Sequence, residues 1–591
     1  MRAERTDMTR ISMHTTRRGF LGRTAAVGAG ATAWAAVGCG DDSDGDDASI
    51  IATPTTVPDA TATPTPADPF ATAKRGGIYR LDWTGDPPTI DPHGNTGFLT
   101  KTFAAYVYSR LFKYQTGPGI APGDVTPTGD LAESAEASPD GLKWTITLRP
   151  NARFHNVAPV NGRDVTSDDV KFSWGRATAT TNPNYSQLSF VDKVEYPDPR
   201  TVVFTLKAPN AAFLDVLADG NLLWVMPTES DGGFNPSMTA IGSGPWQLET
   251  YAISSSLKFK RNPDWYMDGF PLMDGVEIVI IPEYANRIAQ FRAGNIHATA
   301  VNAADLVSIK QSIQDVILEG NLSEQTSYVY FDSDPGAPWR DERVRRAVSM
   351  SLDRDGMNEL IFEVTKLRSA GIDIQSPWNN IIPAGMTRYW LDPQSSEHGE
   401  TGKYFNYDPA EARQLLSAAG FPDGFPVKFQ YAGNRYGSDF NALAEAKISF
   451  LSDIGLNVTT EVQDYNSVYI TQTSLGNFKG IAFGPETPFP EAGGYALRLF
   501  TDNPKNRGKV RDPELDRIAL AQQSELDPEK RRELFLELQR YQAGKMYYVP
   551  SQFRAGTNWT AHQGKVRNAD TYRTKGYGAA TESMVYRWLD Q

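Results

Sequence analysis

The chain has 591 residues, 58 Lys and Arg against 71 Asp and Glu, a formal net charge of −13 and a single cysteine. The length implies several domains, and 40% hydrophobic with 22% charged residues suits a globular body rather than a disordered or membrane-embedded chain. The acidic balance excludes a protein that tracks nucleic-acid phosphates, and one thiol excludes an intramolecular disulfide or a Cys-rich zinc or iron–sulfur centre.

Residues 1–39 hold six arginines and two acids, a local charge of +4 that leaves −17 on the remainder. This basic head runs into the small, apolar stretch Thr24–Gly38, the layout of an export signal and shorter than the ~20 residues a permanent membrane span needs. Thr16-Arg17-Arg18-Gly19-Phe20-Leu21 resembles the twin-arginine export motif, with Arg17 and Arg18 as the paired arginines. Ala36-Val37-Gly38-Cys39 resembles a lipoprotein processing box, with Ala36 in the usual place of Leu. That resemblance implies cleavage before Cys39 and lipidation of its thiol, so the chain's one cysteine is the membrane anchor. Residues 40–75, acidic at first and then rich in Thr, Pro and Ala, bury too little apolar surface to fold and read as an extended tether.

The body begins near Gly76. Period-2 alternation predicts strands at Trp144–Leu148, Thr201–Leu206 and Leu257–Lys260, and the apolar run Val276–Ile281 predicts a more fully buried one. Ser138-Pro139-Asp140-Gly141 is a turn leading into the first of these. Asp341 caps a helix whose Val344, Ala347 and Val348 face the core. Asp408-Pro409 starts a helix that Gly420 stops. A helix over about 440–454 buries Leu443, Phe450, Leu451 and Ile454. Asp512-Pro513 and Asp527-Pro528 start two more, the second reaching about Tyr541. Strands and helices alternate irregularly, which makes the fold class mixed α/β with more than one sheet.

Several pieces, in order, are similar to the family 5 extracellular solute-binding proteins, the peptide- and nickel-type receptors of ABC importers. They are Lys74–Tyr79 with Thr89–His93, Asp130–Ser134, Ser138–Gly141, Trp144–Arg149, Phe154-His155 with Val160–Trp174, Gly242–Trp246, Lys260–Pro263, Arg292–Ile296, Asp341–Ala347 and Tyr407–Phe421. Most have scaffold explanations in turns, caps and close backbone approaches; a family's motif identifies a fold and need not touch its ligand.

The resemblance implies a two-lobed, Venus-flytrap α/β fold of the periplasmic-binding-protein type. Lobe I comprises 76–100, 226–328 and 546–591, with an inserted subdomain at 101–225; lobe II spans 329–545. It further implies capture of an oligopeptide or similar polar solute by hinge closure, without catalytic residues or a cofactor. The partners are a membrane permease and an ATPase on separate chains, and the receptor is a monomer on the outer side of the cytoplasmic membrane. By position in the family's pattern the ligand-binding candidates are Asn95 and Phe98 in an early loop, Asn302, and Tyr328 and Tyr330 on the strand that crosses between lobes. Where peptide receptors of the family carry an acid that pairs with the peptide's α-amino group, this chain has Gly484; the nearest acid, Glu486, comes two residues later. Either Glu486 takes over that role or the ligand has no α-amino group, which adds Phe483 and Glu486 to the candidates.

The six histidines (His14, His93, His155, His297, His398 and His562) include no pair at helical spacing, which argues against a metal site. A secreted carboxylate-dependent hydrolase is the alternative function, though no nucleophile elbow, zinc-binding helix or phosphate loop is present. A non-transport surface receptor or chaperone on the same scaffold is another.

Overall fold

The computed structural model describes residues 9–11 and 69–590, apart from 96, 121–125, 183, 487, 490, 504–505, 554–556 and 570–581. Cys39, Arg17, Arg18 and nearly all of the tether lie outside the described residues.

Lobe I is built on a seven-stranded sheet ordered Ile317–Leu322, Thr557–His562, Ala298–Val301, Ile78–Trp83, Gly275–Ile280, Ser256–Arg261, Trp246–Ala252. The apolar run at 276–281 becomes the strand Gly275–Ile280, parallel to Ile78–Trp83, with Val276 and Ile278 fully buried. Against this face packs the helix Phe98–Val107, whose residues 100–107 are all buried. Its Tyr106 ring stacks on Phe259 at 4.7 Å. The inserted subdomain therefore starts beyond this helix rather than at 101. Its neck is an isolated bridge between Ser109 and Val225.

The subdomain carries the antiparallel strands Ala132–Ala137, Lys143–Leu148, Thr201–Leu206 and Val191–Asp198, with Thr9–Ile11 on the edge. Alternation works as expected: Trp144, Ile146 and Leu148 face Val202, Phe204 and Leu206 in one core. The entry turn closes through Gly141 N–H to the Ser138 carbonyl at 2.8 Å. Asp140 accepts from the Ser138 hydroxyl at 2.6 Å.

The neck is held by three motif residues that never leave the scaffold. Gly244 N–H donates to the Val107 carbonyl (2.8 Å), His155 N–H to the Gly242 carbonyl (2.7 Å) and the His155 ring Nε2 to the Gly244 carbonyl (3.0 Å). Burial pushes the imidazole pKa down to about 4, so the ring is neutral. A Cβ on Gly242 would sit 2.0 Å from the Val107 carbonyl oxygen. Gly242→Ala should therefore cost about 3 kcal/mol, the upper range for overpacking. Equilibrium unfolding in urea checks this, and a loss below about 1 kcal/mol would disprove the backbone clash.

Lobe II has a five-stranded sheet ordered Asn457–Gln463, Pro426–Ala432, Ile481–Pro485, Ser327–Phe331, Tyr548–Ser551. Its helices start where the caps predict. Asp341 accepts from Arg343 N–H (2.8 Å) and Asp408 from Glu411 N–H (2.9 Å), while Asp512 and Asp527 cap Pro513–Ser524 and Pro528–Lys545. The last helix outruns its predicted end at Tyr541. Its final turn is tied to the next strand: Gln542 donates to the Tyr548 carbonyl (2.7 Å) and accepts from Tyr547 N–H (3.0 Å). Met546, in left-handed backbone, then stops it.

The chain passes between the two main sheets twice, once between Leu322 and Ser327 and once between Ser551 and Thr557. Both crossings differ from the expected boundaries at 328/329 and 545/546. Ser327–Phe331 and Tyr548–Ser551 pair with each other, so each strand belongs whole to lobe II.

Candidate functional site

The lobe II sheet has two unlike faces. Val329, Phe331, Ile481, Phe483 and Val549 point into the lobe's own core, with Val344, Ala347, Phe440 and Leu443. Tyr328, Tyr330, Ala482 and Tyr548 point the other way, into a cluster that also contains Phe112, Phe213 and Leu217 of the inserted subdomain. This inner face is where the lobes meet. Phe483 is thereby removed from the candidate set: it stacks on Phe440 at 4.5 Å and 9°, with the Lys447 ammonium 4.0 Å from its ring centroid. Strand alternation puts it on the face opposite Tyr330.

Tyr328 donates its hydroxyl to the Ile381 carbonyl (2.7 Å), and the Tyr330 and Tyr469 hydroxyls bond each other (2.9 Å). All three rings are buried. Gly484 lies beside them, and a Cβ there would come within 1.6 Å of the Tyr469 hydroxyl oxygen. The place expected for an acidic side chain is thus filled by tyrosine. Glu486 has no accessible surface and does not stand free as a substitute: Arg498 Nε lies 3.1 Å and Arg507 Nη2 3.5 Å from its Oε1. Glu486 N–H donates to the Thr326 carbonyl (2.9 Å), and the Gln325 side chain to the Glu486 carbonyl (2.9 Å). The triad therefore sits on the first lobe crossing. Burial lowers the pKa of Arg498, with Glu486 opposing that shift.

Across from it, the subdomain helix Phe213–Ala218 packs on lobe II. Ala211 N–H donates to the Gln523 carbonyl at 2.7 Å. Next to this contact three charged groups are buried together: Asp215 on the subdomain, and Glu491 and Arg531 on lobe II, the latter two joined at 2.6 Å. Burial first, then the Glu491 charge, push the Asp215 pKa up to about 7, against the pull of Arg531.

The other expected contacts lie elsewhere. Asn302 is exposed at the start of the helix Ala303–Ser312, its backbone N–H on the Tyr284 hydroxyl (3.1 Å). Asn95 is half-buried and accepts from Gly97 N–H (2.5 Å) in its own turn; Phe98 is 51% exposed. The structure thus gathers Tyr328, Tyr330 and Glu486 on the inner face of lobe II, while Asn95, Phe98 and Asn302 belong to lobe I. Sequence reasoning missed Tyr469, Arg498, Arg507 and the Asp215–Glu491–Arg531 cluster. Arg498 carried a signal: a cation inside the otherwise apolar run Tyr495–Phe500 needs a buried partner. Among the described residues, no group of three or more His, Cys, Asp or Glu could hold a metal ion, and no helix is long and apolar enough to cross a membrane.

Comparison with known proteins places this architecture. The chain is similar to the glutathione-binding protein GsiB of Salmonella typhi, at 26% identity over 344 residues, 57% of this chain and 60% of that one. It therefore spans less than two thirds of that relative's length. Among solved structures, the substrate-binding protein CtaP of Listeria monocytogenes superposes with a TM-score of 0.70 at 21% identity, covering 87% of this chain and 100% of that one. DppA of Helicobacter pylori, bound to the peptide STSA, superposes with a TM-score of 0.65 at 20% identity, covering 88% and 99%. These two likenesses establish the two-lobed fold with its inserted subdomain. The family model for bacterial extracellular solute-binding proteins, family 5 Middle, matches residues 126–507, more than half of the chain. The chain belongs to the family 5 bacterial extracellular solute-binding proteins.

Proposed function

We propose that this chain is the capture receptor of an ABC importer, closing its two lobes on a small polar solute of the oligopeptide class and handing it to a membrane permease powered by a separate ATPase. The observation that carries the reading is the doubly crossed pair of sheets, with an aromatic inner face opposed to a subdomain that touches it. Two crossings form a hinge, and an aromatic face with few polar groups suits a ligand cleft. The names of relatives support it, since they include glutathione- and peptide-binding receptors. The receptor acts by binding rather than turnover, and Tyr328 and Tyr330 line the closed cleft.

Mass spectrometry of small molecules released from the purified protein identifies the solute. Adding it back at a hundredfold excess over Kd should stabilise the fold by about 2.7 kcal/mol, read as a rise in melting temperature. Peptides that are neither recovered nor stabilising would remove the oligopeptide class.

The same reading places the receptor outside the cytoplasmic membrane, exported through Arg17-Arg18 and held by lipid on Cys39. Cys39→Ser should move the protein from the membrane fraction to the soluble fraction. Membrane retention unchanged by that substitution would refute the anchor.

A further inference from the structure

The Glu486–Arg498–Arg507 triad has more cation than its carboxylate can balance. Glu486 offers one oxygen, Oε1, to both guanidiniums. Arg507, whose side chain is 5% exposed, has its Nη1 on the Pro485 carbonyl (2.9 Å) and its Nη2 on Glu486, while its Nε has no hydrogen-bond partner among the described residues. The Thr326 hydroxyl is fully buried and also lacks a partner among the described residues. Strand register brings these together on the inner face: Ser327 lies opposite Pro485, so Thr326 is the neighbour of Glu486, whose N–H donates to the Thr326 carbonyl. Arg498, with 14% of its side chain accessible, is the member that solvent reaches. A buried guanidinium N–H and a buried hydroxyl left unsatisfied each carry a desolvation cost. An acceptor carrying negative charge would satisfy the donors and the excess cation together.

We infer that Arg498 and Arg507, with Thr326, form an anion subsite at the hinge end of the cleft that takes a carboxylate of the transported solute. The inference rests on the receptor reading above. Arg507 supplies a planar fork, the geometry suited to a carboxylate. Glu486 keeps the two cations together in the empty receptor and sets the subsite's net charge at one positive unit. The crossing segment carries the Thr326 hydroxyl, so an acid bound there bridges the hinge segment and the inner sheet, which links occupancy to lobe closure. Gly484 and Tyr469 sharpen the selectivity. With the tyrosine hydroxyl occupying the space of any side chain at 484, no carboxylate can be offered at that position to an ammonium.

The test uses the full-length protein and one random tripeptide pool in four forms: free, N-acetylated, C-amidated and doubly capped. Glutarate serves as a non-peptide carboxylate. Binding is read by calorimetry and melting temperature. Undiminished binding of the N-acetylated pool, with at least a tenfold loss on amidation, assigns the subsite to a peptide C-terminus. Glutarate binding without any pool binding assigns it to a non-peptide acid. In either case Arg507→Gln, which retains a donor for the Pro485 carbonyl, should abolish the preference for the acid. Arg507→Lys should retain it and guards against a variant that fails to fold. A preference that survives Arg507→Gln overturns the inference, as does the reverse order of the pools, with acetylation abolishing binding and amidation tolerated. If no probe binds, the oligopeptide-class reading falls on its own. The subsite is then judged from a bromide-soaked crystal: an anomalous peak against the Arg498 or Arg507 guanidinium upholds it, and no peak overturns it.

Discussion

Lowering the pH from 8 to 5 should close the lobes and tighten solute binding, by up to about a hundredfold, and Asp215→Asn should abolish that dependence. Asp215 sits on the subdomain face that meets lobe II, buried beside Glu491 and Arg531. In the closed arrangement burial and the Glu491 charge raise its pKa to about 7. Opening the lobes returns the carboxyl to water, where an aspartate titrates near ~3.9. The closed state therefore holds a proton that the open state has lost throughout the interval between those values. The contribution to closure is fully present below about pH 4 and is lost as pH rises through about 7. The charges facing Asp215 are Glu491 and Arg531 from lobe II, with Asp219 on its own side and the Tyr114 hydroxyl nearby. Asparagine mimics the protonated acid, so the variant should bind tightly at both pH values and show a small, pH-independent radius of gyration in X-ray scattering. A pH slope that remains intact in Asp215→Asn would place the titrating group elsewhere.

Local chemistry was readable along the chain wherever the physical cause was itself local. Asp408-Pro409, Asp512-Pro513 and Asp527-Pro528 start helices because cap and first-turn proline are adjacent. The strand Thr201–Leu206 forms as predicted because alternation is a property of six neighbouring residues. The lobe crossings were less readable. Ser327–Phe331 is completed by Tyr548–Ser551, more than 200 residues later, and no local pattern announces that pairing. Phe98–Val107 reads as the edge of a domain but is committed to lobe I by Phe103 and Tyr106 meeting Phe259.

The site was less legible than the fold, for the same reason. Parity alone separates Phe483 from Tyr330 and Glu486, and it becomes usable only once the partner strand and its register are known. The fate of Gly484 depends on Tyr469, fifteen residues earlier in a separate helical turn. The charge clusters join Glu486 to Arg507 and Asp215 to Arg531 across folded space. In the sequence these are four unremarkable members of 129 charged residues.

Glu486→Gln should be among the most destabilising single substitutions in lobe II, by about 3–5 kcal/mol, although glutamine has nearly the same shape. The carboxylate is wholly inaccessible and is the acid within salt-bridge reach of both Arg498 and Arg507. Removing it leaves two guanidiniums to repel each other in a medium that screens them poorly. Arg507 has a further bond to the Pro485 carbonyl, so deleting Arg498 as well should relieve most of the repulsion. The double variant Glu486→Gln/Arg498→Met is accordingly expected to recover at least half of the lost stability, with a coupling of roughly 1–3 kcal/mol in the mutant cycle. Urea unfolding at neutral pH measures these two variants and Arg498→Met alone, which completes the cycle. If Glu486→Gln costs less than about 1 kcal/mol, or the double variant is simply additive, the two arginines are not held by this carboxylate. Cost and recovery together would show that Glu486 belongs to the receptor's internal charge balance, which leaves the solute to meet a positive surface rather than a negative one.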